Sequence, residues 1–352
     1  MKASKKELFK DKVIMVTGGT GSIGSEIVRK LLAYPVRQVR IYSRDEFKQY
    51  SLQQEFKDQP LGRVSFLLGD IRDRDRLHMA MEGVNIVFNA AAMKHVPLCE
   101  YNPFEAVKTN VMGTQNMVDV CRASNVDKFV HVSTDKAAFP ANVMGATKLL
   151  AEKISVAAEH YKGSHCTVFS AVRFGNVFGS RGSVAPLFYR QISAGGPVTL
   201  TDHKMTRFMM RISEAAELVI KAAEIAQGGE IFILKMPVMR IEDLAKAMIS
   251  YLAPKYDYSP ADIKVEVTGK RSGEKLYELL MTEDEADNVY ENAKMFCLCN
   301  QPLPNFVKSR VKNYRSDNAP LMGRAEIARF LEQSMADIEK TLLPQGGKSG
   351  NR

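Results

Sequence analysis

The sequence has little of what several functional classes require. In 352 residues no apolar stretch approaches the length needed to span a bilayer. The opening MKASKKELFKDK carries lysines with no apolar core behind them, so it lacks the form of a signal peptide. The expectation is a cytoplasmic protein with no integral membrane segment. Cysteine is scarce, at positions 99, 121, 166, 297 and 299. Only Cys297 and Cys299 are close, and one C-x-C without a second pair is no zinc site. Reduced, structural thiols are expected. The six histidines show no H-E-x-x-H or comparable spacing, so no metal is expected. Helix-turn-helix spacing, zinc fingers and aromatic-basic ribonucleoprotein motifs are also missing, so nucleic acid is not an expected partner. There are no internal repeats.

What is present is ordinary for a soluble globular chain: 45% apolar and 25% charged residues. The length suffices for one large or two modest domains. The net charge of +9 fits a solvated surface with a basic bias. It equally fits an anionic ligand, because Lys and Arg recur near the Gly-rich loops.

Short β-branched or aromatic runs at 12–18, 37–43, 63–70, 85–91 and 128–134 alternate with helical patterns such as 25–34 and 107–124. Strands separated by helix-length segments predict βαβ units and an α/β, Rossmann-type doubly wound parallel sheet. Residues 166–174 and 229–235 read as later strands of that sheet. After about 175 Gly, Pro, Arg and Thr become frequent, with helices such as 213–226 between loops, a texture that carries ligand sites. The expected division is a nucleotide-binding domain over 1–175, a smaller substrate-binding region over 176–310, and an extension over 311–352. The tail from about 315 is expected to be peripheral and partly disordered at its end.

TGGTGSIG (17–24) sits between the first strand and the first helix. Gly18, Gly21 and Gly24 permit a tight turn and close approach of backbone to a pyrophosphate, which then rests on the helix N-terminus. Thr17, Ser22 and Ile23 belong to the same loop. Ser43-Arg44-Asp45, with Lys48 nearby, ends the second strand; Arg44 favours the 2′-phosphate of NADP, and Asp45 keeps NAD open. Asp70 and Ile71 end the third strand, beside the expected adenine. Ala90, Ala91 and Ala92 are small enough to leave room for ribose and nicotinamide.

With the Gly loop and SRD step, the runs AAAMKHVPLCEYNPFEAVKTNV (90–111), STDKAAFPANVMGATK (133–148), RFGNVFGSRGSVAPLF (173–188), TDHKMTRFMM (201–210) and GKRSGEKLYE (269–278) resemble, in order, the UDP-N-acetylglucosamine 4,6-dehydratases, extended short-chain dehydrogenases of surface-glycan biosynthesis. The likeness covers roughly residues 8–300. It implies a redox-neutral dehydration of a UDP-sugar. C4 is oxidised at the expense of NADP, the C5 proton is removed as the 6-hydroxyl leaves, and the stored hydride returns to C6. For a short chain it also implies inversion at C5, although no residue in the motifs fixes that stereochemistry. A homo-oligomer, hexamer or dimer, is implied as well.

By this resemblance Asp135 assists loss of water and Lys136 is the base at C5. A lysine beside an aspartate is no base while protonated, so burial or the Lys148 charge is expected to lower its pKa. Lys148 would bond the nicotinamide ribose, with Asn110 behind it. The family's usual Tyr, four residues before the Lys, is replaced by Met144, whose thioether cannot shuttle a proton. Thr134 and Asp135 are then the nearby groups able to take the 4-hydroxyl proton, Asp135 serving at O4 and again at O6.

Substrate contacts are expected from Met93, Lys94 and His95 beside the hexose and from Asn176 on the diphosphate. Arg181, Arg207 and Arg271 would hold phosphate oxygens and Glu274 the uridine ribose. Arg173, Ser183, Val184 and Thr206, in the same motifs, are expected to bind substrate as well. Two other readings remain open: a UDP-hexose C4 epimerase, which needs no base at C5, and a non-catalytic NADP-binding protein.

Overall fold

A computed structural model describes residues 7–270 and 273–342. The strands are Val13–Thr17 (β1), Gln38–Ser43 (β2), Val64–Leu68 (β3), Ile86–Asn89 (β4), Lys128–Val132 (β5), Val168–Arg173 (β6), Asn176–Val177 (β7), Val198–Leu200 (β8) and Thr206–Met210 (β9). They continue as Ile231–Leu234 (β10), Val238–Arg240 (β11), Val265–Val267 (β12), Leu279–Met281 (β13), Val289–Glu291 (β14), Met295–Leu298 (β15), Val307–Lys308 (β16) and Tyr314–Arg315 (β17). The main sheet runs β16-β14-β15-β10-β6-β5-β4-β1-β2-β3. From β3 to β10 every neighbouring pair is parallel.

Strand residues alternate between the two faces. Ile14 and Val16 pack towards the Ser22–Leu31 and Ile212–Ile225 helices. Val13 and Met15 pack towards the Arg74–Met81 and Gly113–Ala123 helices. Helices thus cover both faces, and the strand order reverses between β1 and β4. Such a reversal opens a crevice at the C-terminal strand ends.

Two features depart from the sequence-based expectation. Beyond β10 the sheet continues antiparallel through β15, β14 and β16. These short strands carry no periodicity of their own. The tail is also not peripheral as far as it is described. β17 pairs with β13, and Arg324–Leu342 is a helix whose Ile327, Phe330, Leu331, Met335 and Ile338 are buried. With the Val184–Ser193 and Ile241–Leu252 helices they form a second core, in which the Phe178 and Phe330 rings meet edge-on at 5.2 Å. Burial of each such side chain contributes roughly 1.5–3 kcal/mol. Among the described residues no helix is long and apolar enough to cross a membrane.

Candidate active site

β1 ends at Thr17, and the chain turns through Gly18 (φ 62°) into the Ser22–Leu31 helix, capped at Gly21. A Cβ on Gly18 would stand 2.8 Å from the Ala90 carbonyl oxygen and the Ala91 nitrogen, and one on Gly24 would stand 2.3 Å from the Gly18 oxygen. The loop therefore admits no side chain at these points. Gly21 caps the helix with no side-chain bond, so the first N–H groups, those of Ser22 and Ile23 included, keep their affinity for an anion. The Thr20 and Ser43 hydroxyls, 2.8 Å apart, tie the loop to the end of β2.

There Asp45 caps the Glu46–Glu55 helix, accepting from the Lys48 N–H at 3.0 Å, and pairs with the Lys48 ammonium. Although burial opposes it, these bonds from Lys48 hold the Asp45 carboxyl below its usual range. Arg44 leaves 58% of its side chain exposed and touches Asp70 at 3.3 Å. Asp70 is engaged mainly by Arg72 at 2.7 Å. Ile71 is buried, and Ala90, Ala91 and Ala92 follow β4. The cradle of backbone N–H groups, with small residues facing it and a guanidinium at the end of β2, fits a nicotinamide dinucleotide.

Past β5 the chain keeps the sheet register for three more residues. Ser133 N–H donates to the Val172 carbonyl and Asp135 N–H to that of Phe174. Asp135 is thereby fixed and buried. Its Oδ1 accepts from the Thr134 hydroxyl at 2.8 Å and from Lys136 Nζ at 2.9 Å, while Oδ2 has no partner among the described residues. A second carboxylate, Glu278, lies 3.5 Å from Lys136 Nζ on the other side.

This overturns one expectation. Burial works against the Lys136 charge, but Asp135 and Glu278 outweigh it, so its pKa is raised. Lys148 does not act on it; the opposing cation is Arg207. The two carboxylates thus favour the ammonium form of Lys136.

Lys148 follows Met144 by four residues on the Val143–Tyr161 helix. It donates to the Val132 carbonyl at 2.6 Å and approaches His131 Nε2 at 3.3 Å. Burial lowers its pKa to about 8. His131, buried in the middle of β5, connects through Asn89 at 3.2 Å to the Thr17 hydroxyl. Burial and then the Lys148 charge push its pKa well down, so it is neutral. Met144 is buried with Cys99 and Ala106, beside Met93 and Val96. Asn110 stands in a wide π turn (Val107–Met112) and spends its amide on protein: it accepts from Met93 N–H and donates to the Met93 carbonyl and to Thr147. It therefore orients the loop and the Lys148 helix, and its N–H groups are not free for a cofactor as expected.

A pocket of about 420 Å³ opens beside these groups, lined among others by Lys136, Asn176, Ser183, Val184, Arg207, Glu274 and Glu278. Among the described residues Asn176 Oδ1 and Ser183 Oγ are buried without partners, and Ser183 begins the Val184–Ser193 helix without a side-chain cap bond. Glu274 accepts from Thr201 at 3.4 Å. Lys94 stands near Arg181 and Lys136; burial and these charges lower its pKa. His95 packs on Gly182, where a Cβ would come within 2.4 Å of the ring.

Several expected substrate residues sit elsewhere or are already engaged. Arg173 is fully buried, bonded to Glu152, Glu285 and the Leu280 carbonyl, so it has no free face for a phosphate. Thr206 bonds Ser316 at 2.9 Å and is a structural staple. Arg181 turns to the Gly-rich loop, reaching the Thr20 carbonyl and Ser22 at 3.3 Å. Arg207 directs three bonds to the Thr206, Lys275 and Leu276 carbonyls, which shapes the pocket wall. Arg271 lies outside the described residues. Sequence reading missed Glu278, the last residue of the GKRSGEKLYE run, and His131, whose signal is a polar residue inside an apolar strand.

Residues 14–300 match the family model described as polysaccharide biosynthesis protein. The chain is 52% identical, over 92% of its length and 96% of the relative's, to an uncharacterized membrane protein of Methanocaldococcus jannaschii, MJ1061. It is 41% identical to a UDP-N-acetylglucosamine 4,6-dehydratase (inverting) of Campylobacter jejuni, covering 89% of this chain and 95% of that one. A UDP-glucose 4-epimerase of Rickettsia rickettsii is also 41% identical, over 79% of this chain and 80% of its own. Among solved structures, Pen from Bacillus thuringiensis superposes with a TM-score of 0.87 at 46% identity, covering 93% of this chain and 98% of that one.

Proposed function

Because this chain belongs to the polysaccharide biosynthesis protein family, we propose that it is an NADP-dependent UDP-N-acetylglucosamine 4,6-dehydratase that forms a UDP-2-acetamido-2,6-dideoxy-4-hexulose with inversion at C5. The observation that carries this reading is the Asp135–Lys136 pair, whose lysine lines the pocket. One carboxylate oxygen of the pair is buried and without a partner among the described residues, and the amine lies beside it.

A bound nicotinamide supplies the redox chemistry, accepting hydride from C4 and giving it back at C6. The side chains handle protons. Asp135 receives the 4-hydroxyl proton, directly at Oδ2 or through Thr134 at Oδ1, and passes it to the leaving 6-hydroxyl. Lys136, once its own proton is shed, removes and restores hydrogen at C5. Lys148 orients the ribose, its ammonium already steered by Val132 and His131. Ser183, Asn176 and the start of the Val184–Ser193 helix face the diphosphate, helped by the positive field of Lys94 and Lys136. NADP is favoured over NAD because Asp45 is committed to its cap and to Lys48, whereas the Arg44 guanidinium is largely exposed.

The epimerase reading rests on the Rickettsia relative. Incubation with UDP-N-acetylglucosamine and NADP in deuterated water separates the two. Dehydration gives a product lighter by one water with deuterium at C5, and NMR reads the C5 configuration. A UDP-sugar of unchanged mass with C4 inverted would overturn the proposal.

A further inference from the structure

Glu278 is held more firmly than a pocket-wall residue needs to be. Its N–H donates to Ser316 Oγ at 2.9 Å, and its carbonyl accepts from Ser316 N–H at 3.0 Å. Ser316 is itself bonded to Thr206, and Arg207 holds the carbonyls of Lys275 and Leu276 just before it. The result is a carboxylate only 4% exposed, with Oε1 3.5 Å from Lys136 Nζ and 3.6 Å from Arg207 Nε. Its Oε2 has no partner among the described residues. Leaving a buried acceptor unpaired costs about 1–3 kcal/mol, so such a group calls for an explanation.

Lys136 is flanked by two carboxylates, each with one oxygen to spare. The other charged groups acting on or near it, Arg207, Lys275 and Lys94, are cations and accept nothing. On the dehydratase reading Asp135 must stay open for the 4-hydroxyl proton. Among the described residues, Glu278 is then the carboxylate left near the Lys136 proton.

We infer that Glu278 takes the proton from the Lys136 ammonium as substrate covers the pocket, leaving a free amine at C5, and returns it when product leaves. One N–H bond breaks on Lys136 and one O–H bond forms on Glu278. An ion pair becomes a neutral pair, and no other reactant is needed. Loss of water from the covered site favours the neutral pair, since desolvation penalises both charges of an ion pair that lacks close contact. Glu278 acts through Lys136 and is therefore a positioning residue for the base. The inference rests on Lys136 being the base at C5.

The test compares Glu278→Gln, Glu278→Asp and wild type with NADP and UDP-N-acetylglucosamine in deuterated water. In Glu278→Gln, reduced-nicotinamide absorbance should still appear on mixing, showing C4 oxidation. Deuterium entry at C5 and water loss should fall about 100-fold or more at pH 7 and climb with pH, where the wild type is flat. Glu278→Asp should recover part of the loss. If Glu278 only holds charge, the glutamine variant frees the amine, and turnover is kept or rises with no new pH dependence; that result sinks the inference alone. A wild type that releases no water sinks the dehydratase reading and the inference with it.

Discussion

Replacing Arg173 by Met decides between a substrate-binding role, expected from its motif, and the role its surroundings impose. The guanidinium is fully buried. It bonds Glu152 through Nε at 3.1 Å, Glu285 through Nη1 and Nη2 at 2.9 Å each, and the Leu280 carbonyl at 2.9 Å. Glu152 is itself fully buried and also receives the Ser133 hydroxyl at 2.5 Å. Burial works against the Arg173 charge, yet the two carboxylates outweigh it and raise its pKa. Methionine fills a similar volume but leaves Glu152 as a buried anion with no cation. Breaking a buried pair in this way costs about 3–5 kcal/mol, a large share of a typical folding free energy. Urea unfolding at pH 7 should show that loss. The deficit should shrink when Glu152→Gln is added, because the stranded charge is then gone. At a temperature where the variant is folded, its affinity for UDP should match the wild type. A variant with wild-type stability and tenfold weaker UDP binding would refute the structural assignment and restore the phosphate role.

Two further outcomes follow from the same principle of buried charge and buried apolar surface. Lys148 has its pKa lowered from 10.5 to about 8 by burial, so at pH 7 its charge in the fold costs up to about 3 kcal/mol relative to the unfolded chain. The unfolded chain keeps the proton between about pH 8 and 10.5 while the folded chain loses it, so this cost fades as pH rises through that window. Lys148→Met should therefore be inactive yet more stable than wild type at pH 7 by about 1–2 kcal/mol, less the lost bond to Val132, with the gain shrinking by pH 9.5; a gain independent of pH, read from urea midpoints, contradicts the burial cause. A chain ended after Gly323 loses the buried Ile327, Phe330, Leu331, Met335 and Ile338, together about 10 kcal/mol, and should fail to form the pocket half that shares their core. Wild-type melting of that shortened chain would show the C-terminal helix to be dispensable.

How far such features could be read in advance depends on where their causes lie along the chain. The parallel strands and the Gly-rich turn were legible because their signals are local: β-branched runs, helical spacing, and glycines at a strand–helix junction. The β14–β16 edge and the C-terminal helix were not, since short strands are set by their partners and the helix by a core built from distant segments. The site follows the same rule. Asp135, Lys136 and Lys148 stand in one stretch, and of the three Lys136 lines the pocket. What each can do there depends on counter-charges from elsewhere. Arg173 meets Glu152 and Glu285, 21 and 112 residues away in sequence, and these turn a motif arginine into a structural one. Arg181, in a loop expected to grip substrate, is drawn to the Gly-rich loop by Thr20 and Ser22. Lys136 was expected to lose its proton readily. Glu278, from beyond β12, joins Asp135 in making it hold the proton instead. The position of a charged residue in a motif is a property of the local chain, but its protonation and its free hydrogen-bonding face belong to whatever the fold packs against it. On the dehydratase reading, the proton held on Lys136 must be removed by a neighbouring group, and Glu278, the candidate for it, lies outside the STDK stretch.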